Sequence, residues 1–472
     1  FAAAESPREK DLIWTGSDDG LVHLTRDGGK NWQNVTPAEL PKWTMVNCIE
    51  PDPARNGGCY IACTSYKSGD YSPYLFYTAD YGKTWSKITN GIENEHFTRV
   101  VRADPARQGL LYAGTEQGMY LSFDNGQNWQ KMQLNLPIVP ITDLCIKENS
   151  LIAATQGRAL WIIDDLSPLH EATSALTNKK MHLYQPAPAY RMKGGSVKGS
   201  KLAGENRANG VLIHFYLQQK PGLKDTVSLL ISESNGDTIK LFSTVSKENK
   251  LTAKAGGNLF VWNMQYPDAK KFDGMVLWSY DLEGPKAVPG TYKIRLTAAG
   301  QIMETTCTIL PDKRMSTSAA DFKNQFDFVQ EVGKKLSEMH TAIIDIRNLR
   351  QQMNALNERV PKEDRFKPLK TLISRIDSTM TSVEKALYQT QNRSSQDPLN
   401  FPVRLNDKLA NLMGLNVNSD FPPTQQSIEV KNYLFTLVDE QLGLWKRLKE
   451  NDLPALNRLV RELQVDVIQL KK

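Results

Sequence analysis

Aspartates recur in this chain at a fixed place in a repeated phrase. Thr25, Asp27, Gly29 and Trp32, then Thr78, Asp80, Gly82 and Trp85, then Ser122, Asp124, Gly126 and Trp129 all follow one spacing: hydroxyl, x, Asp, x, Gly, x, x, Trp. A carboxylate next to a hydroxyl has the makings of a general base or a metal ligand. Here its lone pairs have a nearer use, because Asp can accept backbone N–H groups across a tight turn while Gly takes positive φ at little cost. The Trp five residues on re-enters a sheet and brings a large ring to bury. The spacing therefore expects Asp27, Asp80 and Asp124 to fold the chain, and Trp32, Trp85 and Trp129 all to be buried behind their turns.

Other reactive groups are scattered. Glycoside hydrolysis uses two carboxylates about 5 to 9.5 Å apart across the sugar, and Asp18, Asp19, Glu116, Asp164 and Asp165 are the candidates, each placed where a turn or strand end also employs it. The six histidines (His23, His96, His170, His182, His214, His340) stand apart from one another, and no HExxH, Walker-type loop, GxSxG elbow or paired-Gly fingerprint occurs. His214, mid-strand, reads as structural. Cys48, Cys59, Cys63, Cys145 and Cys307 read chiefly as small buried hydrophobes. Cys59 and Cys63 are too far apart along one strand to bond, whereas Cys48 and Cys59 flank a hairpin and could meet. These spacings imply no metal and no cofactor.

Non-covalent binding is better supported. Residues 65–74, read as a loop inserted in a repeat, carry Tyr66, Tyr71 and Tyr74, and exposed loop aromatics favour sugar or protein contact. Arg158, after Gly157, is a second candidate, as a pocket donor or a partner for Asp164.

The elements that must position these residues repeat with them. Asp27, Asp80 and Asp124 lie 53 and 44 residues apart, and the phrase Asp-Pro-Ala-Arg occurs at 52–55 and again at 104–107, each time between apolar strands. Residues 152–155 begin a fourth copy without a box, and 160–163 read as its last strand, stopped by Pro168. Such periods suit four-stranded repeats, and a closed ring of them needs roughly four to eight. At most three and a half copies are visible, starting near Leu12. Open terminal repeats would expose sheet edges, so the expectation is that residues 1–175 are the C-terminal blades of a β-propeller completed by an N-terminal part of the same polypeptide or by another chain.

Residues 176–209 read as a linker, Pro-rich near 186–188 and Gly/Lys/Ser-rich over 193–204. Period-2 strands at 211–217, 227–231, 259–262 and 292–296 make residues 210–312 a β-sandwich of immunoglobulin type, with Pro289 and Gly290 as the turn into its final hairpin. From Ser318 the period becomes 3.6: Phe322, Phe326, Val329, Leu336, Ile343, Ile346, Met353 and Leu356 mark one stripe, which Ser318 caps and Pro361 ends. A second helix follows through Phe366, Leu369, Ile373, Ile376, Val383 and Leu387. Further helices run from about 428 to 449 and, with Asp452 as N-cap, on to 472, so that residues 318–472 form an antiparallel helical bundle.

The 472 residues carry 58 basic and 52 acidic side chains, a formal charge of +6, with the basic residues interspersed among acids. Nucleic acid is not an expected partner. The longest apolar runs are too short to span a bilayer as a helix.

The boxes, the phrases at 79–82 and 113–129, the Leu-Asn-Leu-Pro-Ile-Val-Pro run at 134–140 and the ending at 154–165 together resemble the sortilin-like, BNR-repeat (Asp-box) bacterial proteins often labelled glycosyl hydrolase. The resemblance implies a multi-blade propeller followed by a sandwich and helices, exported to the periplasm or cell surface. It does not imply one chemistry, since Asp-boxes are shared by sialidases, xyloglucan-degrading enzymes, sortilin-type receptors and photosystem assembly factors. The Phe-Arg-Ile-Pro phrase that opens sialidases is missing, and Phe401, Pro402, Val403 and Arg404 lie among the helices. The expected function is a non-catalytic extracytoplasmic scaffold that binds a protein or a glycan; the alternative is a glycoside hydrolase whose acids lie largely in a missing N-terminal portion.

Overall fold

A computed structural model of the chain describes residues 1–192, 204–222, 225–278 and 282–465. The chain divides into two units, Phe1–Lys179 and Lys180–Lys472.

The first unit is a succession of four antiparallel sheets. The first comprises β1 (Ala2–Glu5), β2 (Ile13–Gly16), β3 (Val22–Thr25) and β4 (Gln33–Asn34), and the second β5 (Met45–Pro51), β6 (Cys59–Ser65), β7 (Asp70–Thr78) and β8 (Ser86–Lys87). The third comprises β9 (Thr98–Ala103), β10 (Leu111–Thr115), β11 (Gly118–Ser122) and β12 (Gln130–Lys131), and the last has three strands, β13 (Ile141–Lys147), β14 (Ser150–Thr155) and β15 (Leu160–Ile163). The opening repeat thus starts earlier than Leu12, because the short Ala-rich β1 pairs along β2 from Ala2↔Gly16 to Glu5↔Ile13 without an apolar alternation to announce it. Each Asp-Pro-Ala-Arg phrase turns the chain between the first two strands of its sheet. Asp52 Oδ1 accepts the Ala54 N–H at 2.8 Å, and Asp104 Oδ1 accepts those of Ala106 and Arg107. The second carboxylate oxygen of each takes a tyrosine hydroxyl, Tyr77 and Tyr112 respectively, both at 3.0 Å. After β15 a short helix α1 (Ser167–Glu171) closes the unit.

Residues 65–74 are not an inserted loop. Tyr66–Ser68 form one 3-10 turn, Gly69 takes φ +80°, and the chain re-enters β7 at Asp70. The repeat is longer there because β6 and β7 are longer than their counterparts β10 and β11.

In the second unit, β16 (Met181–Leu183) and β17 (Ala189–Arg191) come from the stretch expected to be linker. They were illegible because three-residue strands have no period to show. β16 flanks β18 (Val211–Leu217), which pairs with β21 (Gly256–Trp262). The other sheet runs in the order β17, β23 (Gln301–Pro311), β22 (Gly290–Ala298), β19 (Ser228–Glu233), β20 (Thr238–Ser243), and β17 pairs with β23 in parallel. One core, including Ile213, Phe215, Leu229, Ile231, Trp262 and Ile294, fills the space between the two sheets. Pro289 bends the chain into the final hairpin, whose first strand β22 starts at Gly290, and the hairpin's own tight turn is Ala299 and Gly300, both at positive φ. The expected loop over 193–204 lies outside the described residues except for Gly204.

The helices of this unit are α2 (Ala319–Arg359), α3 (Lys367–Leu387), α4 (Leu405–Val417), α5 (Gln425–Arg447) and α6 (Leu453–Glu462). Ser318 caps α2 in a capping box with Asp321. α4 was unexpected, its short apolar stretch being hidden behind Asn- and Pro-rich sequence. Asp452 is not an N-cap: its backbone is helical inside a π-turn linking α5 to α6, and its carboxylate instead meets Arg375 at 2.5 Å. The stretch between β21 and β22 packs Ala269, Phe272 and Leu282 into the helical core. It is tied there by His340 Nδ1 to the Lys270 carbonyl at 2.6 Å and by the Trp278 N–H to Asp407 Oδ1 at 3.0 Å. The expected last helix beyond residue 465 is outside the described residues. No described helix is long and apolar enough to cross a membrane.

Candidate functional site

The three boxes behave alike within their turns. Asp27 Oδ1 accepts the N–H groups of Lys30 and Asn31, both at 3.0 Å, and the Thr25 hydroxyl. Asp80 accepts the Thr84 N–H and Asp124 the Asn128 N–H in the same way. The bond from the Asn31 N–H is the main reason that the Asp27 carboxyl is held down at about 2. Each of these carboxylates accepts three or four hydrogen bonds from within its own turn, so its main use is to fold the chain.

Outside the turns the boxes differ. The Trp85 indole N–H donates to the Val35 carbonyl of the preceding sheet at 2.7 Å, and the Trp129 indole N–H to the Ile88 carbonyl, also at 2.7 Å. Trp129 is 5% exposed and Trp85 is half-buried against the edge of Trp14. Trp32 is 46% exposed, which corrects the expectation that all three are buried. The ring of a box packs on the sheet before it, and among the described residues no sheet precedes the first.

Most of the sequence candidates fall at one equivalent place, the turn from the second to the third strand of each sheet. Asp18 and Asp19 lie in the β2–β3 turn, Tyr66 in the β6–β7 turn, Glu116 in the β10–β11 turn and Arg158 in the β14–β15 turn. Asp19 accepts the Ser17 hydroxyl. Arg158 is exposed, and its carbonyl takes the Trp161 indole N–H at 2.9 Å. Asp164 and Asp165 are at the far end of β15, where Asp165 accepts the Ser167 N–H and the Asn149 amide.

The three tyrosines separate. Tyr66 stacks on Phe97, with centroids 5.1 Å apart and planes 14° apart, and Tyr71, 51% exposed, leans on the same ring at 6.1 Å. The Arg99 guanidinium lies over both Phe97 and Tyr66 and is held from its other side by Glu116 at 2.6 Å. Tyr74 does not join them. It is 8% exposed within β7, and its hydroxyl donates to Asp70 Oδ2 at 2.6 Å, so it braces the turn from behind. Phe97 and Arg99 gave no signal in the sequence because they lie on another repeat from the tyrosines.

A second cluster joins the first strands of three sheets. Arg102 in β9 donates to Cys48 Sγ at 2.7 Å, to the carbonyls of Val101 and Leu144, and to Asp143 Oδ1 at 2.8 Å, while Glu50 Oε2 lies 3.5 Å away. Burial lifts the Glu50 carboxyl to about 7 against the opposing pull of Arg102. The sequence held a clue. Glu50 and Arg102 both stand two residues before the aspartate of an Asp-Pro-Ala-Arg phrase, so adjacent repeats present opposite charges at equivalent positions. All five cysteines are free; Cys48 and Cys59 are both buried and unpaired, and Cys145, expected inside, is exposed.

The BNR/Asp-box repeat family model matches residues 120–131, the third box. The chain carries a BNR/Asp-box repeat. No curated protein matches it. Among solved structures it is similar to YCF48 from Cyanidioschyzon merolae, with 20% identity over 34% of this chain and 52% of that one and a TM-score of 0.27. It is also similar to the GH74 xyloglucanase from Xanthomonas campestris, with 13% identity over 65% of this chain and 44% of that one and a TM-score of 0.27. A third is the GH74 enzyme of Niastella koreensis, with 10% identity over 65% and 45% and a TM-score of 0.29. The chain spans about half the length of each of these proteins.

Proposed function

We propose that this chain is part of an extracytoplasmic β-propeller scaffold that binds a protein or glycan partner without transforming it. The observation that carries the reading is the aromatic shelf of half-buried Tyr66 and exposed Tyr71, seated on Phe97, which is itself only 4% exposed, and backed by Arg99 and Glu116, at the end of the sheets where the turns gather. Flat rings beside a paired guanidinium and carboxylate suit a sugar face, or the aromatic and polar mix of a protein interface. In this reading the four sheets are successive blades, the strands within residues 210–312 make an immunoglobulin-like sandwich, and the helices between residues 318 and 465 make an antiparallel bundle. The proposed setting is the periplasm or cell surface of a bacterium, of the sortilin-like type. The partner is a protein or glycan, in addition to polypeptide that completes the propeller. Replacing Tyr66 and Tyr71 together should lower affinity for the bound partner at least tenfold with the fold intact, as binding titration and circular dichroism would show; unchanged affinity refutes the shelf.

One observation favours the alternative hydrolase. A carboxyl lifted to about 7, Glu50, shares Arg102 with a second, more exposed carboxylate, Asp143, and a raised carboxyl is what a general acid needs. Arg102 occupies the space between them, so the pair serves better as an inter-sheet clamp than as a site for a glycosidic oxygen.

A further inference from the structure

The packing of the second sheet on the first and of the third on the second is built from the same three parts. Gly82 in the second box lies so close to the first sheet that a Cβ there would fall 2.6 Å from Val35 Cβ, and a Cβ on Gly126 in the third box would fall 2.7 Å from Ile88 Cδ1. The Trp of the same box then donates to the carbonyl of that same apolar residue, Trp85 to Val35 and Trp129 to Ile88. Val35 and Ile88 each stand eight residues after their own box aspartate, just beyond the outermost strand. A glycine, an apolar residue with its carbonyl and an indole N–H thus make a joint that is used twice.

The first box has its half of this joint and, among the described residues, no apolar residue and carbonyl facing it. A Cβ on Gly29 would meet only its own Trp32, at 3.8 Å, and Trp32 is 46% exposed. We infer that the box face of the first sheet, Gly29 with Trp32, is a docking surface for one further four-stranded blade built from sequence other than residues 1–472. That blade presents an apolar side chain over Gly29 and its main-chain carbonyl to Trp32 Nε1. Continuity with the two joints already made identifies the occupant. A second copy of this chain does not supply it. Its first two blades have given their acceptors to the joints described, its third is covered by the fourth sheet, whose β13 packs on β9 and β10 with Met132, the equivalent of Val35 and Ile88, buried, and its terminal sheet, β13 to β15, has three strands and no counterpart of β4, β8 or β12 to carry the acceptor. The inference rests on the scaffold reading only in taking the sheets as successive blades.

The test places a photo-crosslinking residue at exposed Lys30, whose backbone N–H alone serves the turn, in the full chain within its native cells, with exposed Leu259 as the control position. Irradiation should join Lys30→benzoylphenylalanine to a peptide, read by mass spectrometry, that lies within one repeat of a hydroxyl-x-Asp-x-Gly-x-x-Trp box and is not part of residues 1–472. Adding Trp32→Ala should cut the yield at least tenfold without moving the melting temperature of the isolated chain, whereas Tyr71→Ala should leave the yield unchanged. Crosslinks to residues 1–472, to a peptide without such a box, or no more than at Leu259 would overturn the inference. Loss of partner binding in the Tyr66 and Tyr71 variant is a separate readout, so the shelf and the joint fail independently.

Discussion

The indole nitrogen of Trp129 lies 2.7 Å from the carbonyl oxygen of Ile88, in the neighbouring sheet, so one side chain both fills the joint between two repeats and satisfies a main-chain acceptor there. Trp129→Ala should therefore destabilise the protein by about 3 to 5 kcal/mol, the cost of truncating a buried aromatic. Trp32→Ala, at the same place in an uncovered box, should change stability of the isolated chain by less than about 0.5 kcal/mol. Denaturant unfolding of both variants checks the contrast; equal losses would contradict it.

Glu50 makes stability depend on pH in an unusual direction for a carboxylate. Burial, opposed by Arg102, raises it from 4.5 to about 7, so the folded state favours its protonated form. Its contribution is full below about 4.5 and is lost as pH rises through about 7. Glu50→Gln keeps an acceptor for the Ala103 N–H, which Glu50 Oε1 takes at 3.2 Å, and removes the titration. Relative to the variant, the parent should lose about 1 to 3 kcal/mol across that window, at roughly 1.4 kcal/mol per pKa unit. Thermal melts of the two proteins at several pH values would show parallel curves if the account is wrong.

Tyr74 and Asp70 give a smaller effect of a different kind. The Tyr74 hydroxyl bond to Asp70 and the Ser72 N–H bond hold the Asp70 carboxyl below its usual range. Tyr74→Phe should cost about 1 kcal/mol, the net worth of one hydrogen bond, and should leave partner binding unchanged because the ring is behind the turn. A binding loss as large as that of Tyr71→Ala would return Tyr74 to the shelf.

Elements that repeat or alternate were legible in advance. The boxes, β18 and the capped start of α2 follow from spacing alone, since turn chemistry and periodicity are local properties. What escaped depends on partners distant in sequence. β16 and β17 are too short to carry a pattern, and the shelf draws Tyr66, Phe97 and Glu116 from two repeats. The difference between Trp32 and Trp129 lies wholly in what stands next to them, and nothing within either box distinguishes the two. Even so, the aligned Glu50 and Arg102 show that comparing repeats with one another recovers some contacts that reading each repeat alone does not.

The central claim, binding at the aromatic shelf without turnover, is tested most directly by incubating the full chain with a panel of soluble glycans while following both saturable binding and released product. The account predicts binding without product, abolished by Tyr66→Ala with Tyr71→Ala and unaffected by Glu50→Gln. Product that still forms in the double tyrosine variant and disappears with Glu50→Gln would contradict it.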